Sequence, residues 1–195
     1  MRGLVVMIST MVLLTGCMGD PVFHGEVLPA AQAQDFTLED DEGLLWTLTA
    51  IEADVIILVF MFTECTETCP VVSASMAEVV NRFTEEESER IQVLSITLDV
   101  EQDSPSVLHN WTERRGYAWP HLTGSPTALE PVWDAYQVVP IPFENETSGQ
   151  RTLAHPQPTF LLDGEHRLRV VHDGYDWPIS HMLDDVRTLL EEATR

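Results

Sequence analysis

Downstream of the first twenty residues, the most apolar stretch of the chain is Val55 to Phe62 (VIILVFMF), apolar at every position. A run of that length without alternation suits a strand covered on both faces. Upstream, Asp35-Phe36-Thr37-Leu38 and Leu44-Leu45-Trp46-Thr47-Leu48 flank Glu39-Asp40-Asp41-Glu42-Gly43, which predicts a hairpin with glycine at the tight turn. Downstream the period changes. Val72, Met76, Val79, Val80 and Phe83 recur at helical spacing and predict a helix from about Pro70 to Phe83. Ile91 to Leu98 reads as a strand again, followed by a polar loop from Asp99 to Asp103. Ser104-Pro105 then opens a helix as cap and first-turn proline. That helix turns Val107, Leu108 and Trp111 inward and stops near Gly116. A short helix around Leu129 to Tyr136 follows Ser125-Pro126, and Val139 to Thr152 reads as a polar loop or insertion. Thr159-Phe160-Leu161-Leu162 and Leu168 to His172 form a second hairpin around Asp163-Gly164. The last helix, from about Pro178 to Glu192, gathers Ile179, Met182, Leu183, Val186, Leu189 and Leu190 on one face. There is no internal repeat.

This order is a βαβ unit followed by a ββα unit, with additions. It predicts an α/β domain with a central mixed sheet, helices on both faces and an N-terminal β-hairpin, thioredoxin-like in outline. The chain of 195 residues is long enough for one such domain.

The first residues belong to a different regime. Arg2 is followed by an apolar stretch, Gly3 to Leu14, too short for a comfortable membrane span. Leu14-Thr15-Gly16-Cys17 resembles the lipobox of bacterial and archaeal lipoproteins, in which the leader is cut before a cysteine that carries lipid. The resemblance implies a signal peptide over 1–17, with Cys17 as lipid anchor. A tether over 18–33, containing Pro21, Pro29 and Ala30-Ala31-Gln32-Ala33, then leads to the domain at 34–195. An ordinary signal peptide with an incidental cysteine is the alternative.

Charge narrows the partners. Thirty-two acidic residues against ten basic ones give a formal charge of −22, and every basic residue is arginine. That balance disfavours nucleic acid and anionic lipid surfaces. The acids are spread along the chain in short clusters such as Glu85-Glu86-Glu87, as on a solvated surface.

Chemistry concentrates at Phe62-Thr63-Glu64-Cys65-Thr66-Glu67-Thr68-Cys69-Pro70, directly after the apolar strand. Cys65 and Cys69 therefore leave a strand and enter a helix start, where unsatisfied N–H groups favour a thiolate. Two soft sulfurs at this spacing can form a disulfide, serve as a redox pair or grip a thiophilic metal. A structural disulfide is the weakest of these, since so short a loop restrains little chain entropy. A peroxidase of the peroxiredoxin kind lacks its Thr-x-x-Cys setting here. With Cys17 set aside as anchor, one close pair and no further thiol suits a compartment outside the cytoplasm.

A two-sulfur copper site wants a further ligand, and imidazole is the natural one. Of seven histidines, His24 lies in the predicted linker, His109 on a helix, His121 before Leu122-Thr123-Gly124, His166 in a turn, His172 at a strand end and His181 near a helix start. These read as surface or structural residues. His155 sits in Leu153-Ala154-His155-Pro156-Gln157-Pro158-Thr159-Phe160, a loop entering a predicted core strand, which in a thioredoxin-like fold packs beside the cysteines.

The Cys-x-x-x-Cys-Pro stretch at 65–70 resembles the motif of the Sco/SenC family, the copper-binding assembly factors of cytochrome c oxidase. The segment from Ser95 to Pro105 resembles that family's Asp-Pro-x-x-Asp-Thr-Pro segment. Trp119-Pro120-His121-Leu122-Thr123-Gly124 is similar to its Trp-x-x-Leu-Thr-Gly segment. His155 stands where the family's metal-binding histidine precedes Asp163-Gly164. The likeness spans roughly 34 to 193. Glu64, Thr66, Glu67 and Thr68 fill the cysteine motif where the family often has His, Pro or Asp. Pro156 follows the histidine where Ser or Thr is usual, and Gln157-Pro158-Thr159-Phe160 looks more like the cis-proline loop of thioredoxin-like reductases.

The resemblance implies a copper ion, Cu(I) or Cu(II), held by Cys65, Cys69 and His155, with Asp99 orienting the site or capping its loop. It implies delivery to the copper-bearing subunit of cytochrome c oxidase or to another copper or thiol protein, from a lipid-anchored position on the extracytoplasmic face of the membrane. The alternative is a thiol–disulfide oxidoreductase acting through Cys65 and Cys69. Asn110-Trp111-Thr112 and Asn145-Glu146-Thr147 also match the glycosylation sequon.

Overall fold

The run Val55–Met61 is buried at every position and lies at the middle of a sheet. The computed structural model describes residues 21–66, 68–144 and 151–194. In chain order its strands are β1 (Glu26–Val27), β2 (Thr37–Asp40), β3 (Leu45–Thr47), β4 (Val55–Met61), β5 (Ile91–Thr97), β6 (His121–Thr123), β7 (Ile141–Glu144), β8 (Arg151–Ala154), β9 (Thr159–Asp163) and β10 (Leu168–His172). The helices are α1 (Cys69–Val80), α2 (Glu85–Ser88), α3 (Pro105–Arg115), α4 (Pro126–Ala135) and α5 (Ile179–Ala193). Eight strands form one sheet in the order β1-β10-β9-β4-β5-β6-β2-β3, while β7 and β8 pair separately. β4, β5 and β6 run parallel, and the remaining pairs are antiparallel. The expected mixed sheet with helices on both faces is what forms.

The pleat of β4 divides its side chains between two core layers. Ile56, Leu58 and Phe60 pack with Leu108 and Trp111 of α3 and with Leu129, Val132 and Trp133 of α4. Val55, Ile57 and Val59 pack with Val72, Met76 and Val79 of α1 and with the apolar face of α5. Each fully buried side chain of this size contributes about 1.5–3 kcal/mol. Gly116, at φ +67°, ends α3 in the left-handed region that glycine tolerates. Ser104 occupies the cap position of that helix, but its hydroxyl pairs with that of Ser106 at 3.2 Å and makes no backbone cap.

Several elements depart from expectation. The described part of the predicted tether packs on the domain. Glu26–Val27 pairs with β10, and Gln32 bridges to Arg167. His24 and Gly25 donate their backbone N–H groups to the carboxylate of Asp185 at 2.8 and 2.9 Å. Only glycine permits that approach, since a Cβ at Gly25 would come within 2.5 Å of Val170. The predicted polar loop at 139–152 contains β7 and the start of β8. Asn145 lies outside the described residues, as do Cys17 and the leader. Among the described residues no helix is long and apolar enough to cross a membrane.

Candidate metal centre

The parallel neighbour of β4 fixes where the cysteine loop begins. Beyond Met61 the chain turns at Phe62, which is 2 % exposed, and enters the loop at Thr63. The fully buried carboxylate of Asp103, in the loop after β5, holds that entry. It accepts the backbone N–H of Thr63 at 3.1 Å, the Thr63 hydroxyl at 2.5 Å and the Thr97 hydroxyl at 2.5 Å. Burial raises the proton affinity of Asp103, and the hydrogen bonds from Thr63 and Thr97 oppose that rise.

α1 starts at Cys69, with Pro70 in its first turn. The N-cap residue, Thr68, makes no side-chain cap. The sulfur of Cys65 takes that place by accepting the backbone N–H of Cys69 at 3.3 Å. Neither cysteine is in a disulfide; Cys69 is buried and Cys65 half-buried. The hydrogen bond with Cys65 and burial together push the Cys69 thiol far up, so Cys69 stays protonated beside its neighbour. The Cys65 sulfur faces the N–H of Cys69 at the helix start, a position that favours negative charge.

His155 arrives from the other side of β4. β9 pairs antiparallel with β4, with Val59 opposite Thr159, so the residues before β9 lie beside the residues after β4. The Nδ1 of His155 lies 2.5 Å from the carbonyl oxygen of Pro156 and donates to it. That bond fixes the tautomer and leaves the lone pair on Nε2. Nε2 lies 3.9 Å from the sulfur of Cys69. The edge of Phe62 packs against the imidazole at a ring distance of 5.7 Å. Burial lowers the proton affinity of His155, opposed by the Pro156 carbonyl, which keeps the ring neutral and able to ligate. A metal about 2.0 Å from an imidazole nitrogen and about 2.3 Å from a thiolate bridges at most about 4.3 Å. The observed separation of 3.9 Å falls inside that reach. Among the described residues no three His, Cys, Asp or Glu side chains already converge on one ion. Closure by Cys65 as third donor therefore needs a loop adjustment.

Of the two cysteines and His155 that the sequence singles out, the fold sets Cys69 beside each of the other two. Asp99 is buried one loop away, and its backbone carbonyl accepts the N–H groups of Gln102 and Asp103. The peptide bond before Pro158 is trans, unlike the expected cis-proline loop. Two residues of the site were not foreseen. Asp103 reads from the sequence as the end of a polar loop, within the 95–105 segment that resembles the family's, with no role of its own. Gln157 donates its amide to the Cys69 sulfur at 3.7 Å and lies 3.2 Å from His155 Nε2. Its position two residues after His155 was the only signal in the sequence. The other histidines serve elsewhere. His121 is buried among Trp111, Tyr117 and Trp119, His172 pairs with Asp185, and His24 stacks on His181.

A family model described as SCO1/SenC matches residues 26–191. The chain is 25% identical over 130 residues to a SCO2-like protein of Rickettsia felis, covering 66% of this chain and 63% of that relative. It thus spans just under two thirds of that protein's length. The solution structure of apo Sco1 from Thermus thermophilus superposes with a TM-score of 0.74 at 24% identity, covering 88% of this chain and 99% of that one. Arabidopsis thaliana ScoI with copper bound gives a TM-score of 0.73 at 23% identity, covering 83% and 99%. At these identities the two structures establish a common fold.

Proposed function

The chain belongs to the SCO1/SenC family, and we propose that it carries copper on Cys65, Cys69 and His155 and delivers it during maturation of the copper site of cytochrome c oxidase. The family is one of copper-binding proteins linked to assembly of that oxidase. The observation that carries the reading is the Nε2 lone pair of His155, 3.9 Å from the Cys69 sulfur and freed for a ligand by the Nδ1 bond to Pro156. Soft thiolates favour Cu(I), and the neutral imidazole completes a three-donor set. Loading releases the thiol protons, and transfer proceeds by stepwise exchange with incoming cysteines of the acceptor. A lipid on Cys17 would hold the domain at the extracytoplasmic membrane surface, the chain joining the sheet from β1 onward.

The test is copper transfer. The loaded protein is mixed with the copper-free soluble domain of an oxidase subunit that bears a dinuclear copper centre. Copper should appear in the acceptor from the native chain and not from Cys65→Ser. Retention of copper by the native chain under conditions where free copper loads the acceptor would remove the delivery role. For the anchor, Cys17→Ser should move the protein from the membrane fraction to the soluble one. An unchanged distribution rejects it.

One observation favours thiol–disulfide exchange as a second activity of the same pair. The two cysteines stand side by side with no disulfide between them, and a helix N–H faces the Cys65 sulfur. That is the arrangement of an attacking thiolate with a resolving thiol beside it.

A further inference from the structure

The amide of Gln157 touches both donor atoms on the His155 side of the centre. Its nitrogen is 3.2 Å from His155 Nε2 and 3.7 Å from the Cys69 sulfur, which are themselves 3.9 Å apart. Since Nδ1 of His155 donates to Pro156, Nε2 can only accept. One amide hydrogen is therefore directed to the imidazole lone pair and the other to the sulfur. The amide oxygen is buried and makes no hydrogen bond. A side chain free to choose would not leave that oxygen bare. It is held there by the two acceptors that its nitrogen serves.

We propose that Gln157 is a positioning residue that stands in for the cargo when the site is empty. Its amide hydrogens engage the same two lone pairs that an ion would use, so copper can enter only as the amide withdraws. The neutral amide nitrogen, with both hydrogens pointing at the donors, cannot itself ligate. Withdrawal also relieves the bare amide oxygen. When copper leaves, the amide returns and keeps His155 and Cys69 solvated by the protein. A carrier gains from this twice. The empty site holds its donor geometry, and the loaded site binds less tightly than its donors alone would allow, which favours release. The inference rests on the copper reading of this site.

The experiment measures Cu(I) affinity of the reduced full-length chain by competition with a chromophoric Cu(I) chelator. It compares the native protein, Gln157→Ala, His155→Ala and the double variant. Gln157→Ala should bind Cu(I) about tenfold more tightly, as expected for removing two weak competing hydrogen bonds. In the His155→Ala background the gain should shrink, because the amide has lost one of its two acceptors. Damage to the fold cannot mimic this result, since it weakens binding, and urea unfolding of each variant records it separately. If the native chain binds copper through His155 but Gln157→Ala binds equally or more weakly, the stand-in role is wrong and the copper site remains. If the native chain binds no copper, or binds it without His155, both fall.

Discussion

The sulfur of Cys69 and Nε2 of His155 lie 3.9 Å apart, although 86 positions of chain separate the two residues. The register of two strands brings them together. Val59 of β4 faces Thr159 of β9. The chain leaving β4 and the chain entering β9 therefore occupy the same end of the sheet, and each carries its donor within a short loop of that end. In open α/β sheets such loop clusters are where ligands are held.

The two thiols should differ in reactivity. Cys69 is buried and held protonated by Cys65 and by burial, whereas the Cys65 sulfur is half-exposed and faces the N–H of Cys69. Iodoacetamide at neutral pH should therefore alkylate Cys65 first in the reduced protein. Mass spectrometry of brief labelling should find Cys65 modified and Cys69 almost unmodified in the native chain. Faster labelling of Cys69 would reverse the assignment of roles.

Asp103 should matter for stability as much as any apolar core residue. Its carboxylate receives three donors from Thr63 and Thr97 in a buried setting. Asp103→Ala leaves these donors without their acceptor and should cost about 3 kcal/mol in urea unfolding. It should also loosen the start of the cysteine loop and speed labelling of Cys65. A loss below about 1 kcal/mol would show that the clamp contributes little.

Acid should weaken the fold through His121. Burial pushes His121 down to about 4 from an ordinary value of 6.5. In that window the unfolded chain binds a proton that the folded chain refuses, so stability falls as pH drops from 6.5 towards 4. The expected loss from this residue is about 3 kcal/mol across the window. Urea unfolding at pH 7 and pH 4.5 should show it in the native chain and show much less of it in His121→Gln. Equal pH dependence in both would rule out His121 as the source.

The strap before β2 should depend on one carboxylate. Asp185 is buried in α5 and accepts from His24 N–H, Gly25 N–H and His172 Nε2. Burial works against its charge, but the hydrogen bonds from His172, Gly25 and His24 prevail and hold its carboxyl below the usual range. Asp185→Ala should cost about 3 kcal/mol and raise hydrogen exchange at the amides of residues 24–27 more than elsewhere. Uniform exchange across the domain would mean that the strap is not held there.

The elements legible in the sequence were those whose apolar period is long. β4, α1 and α5 each carry enough buried positions to show their spacing, and the helix face from Ile179 to Leu190 is buried much as the spacing implies. Elements made by their neighbours were not legible. β6 is three residues with a buried histidine, and it is a strand because β5 and β2 flank it. α2 looked like an acidic surface cluster, yet Thr84 and Glu87 form a capping box around it. β1 is two residues long and exists because Asp185 and β10 hold it. At the site, Cys65, Cys69 and His155 were marked by residue type. Gln157 and Asp103 were hidden because amides and carboxylates in loops are common, and only packing distinguishes these two.

The central claim is that the imidazole of His155 is a copper ligand together with both sulfurs. Cu(I) should bind to the reduced native chain at about one ion per molecule. His155→Ala should lower that affinity by more than the roughly 10–100-fold expected for losing an outer partner, with both thiols still titratable. An affinity for Cu(I) unchanged by His155→Ala would contradict the three-donor site and leave the dithiol alone as the working part of the molecule.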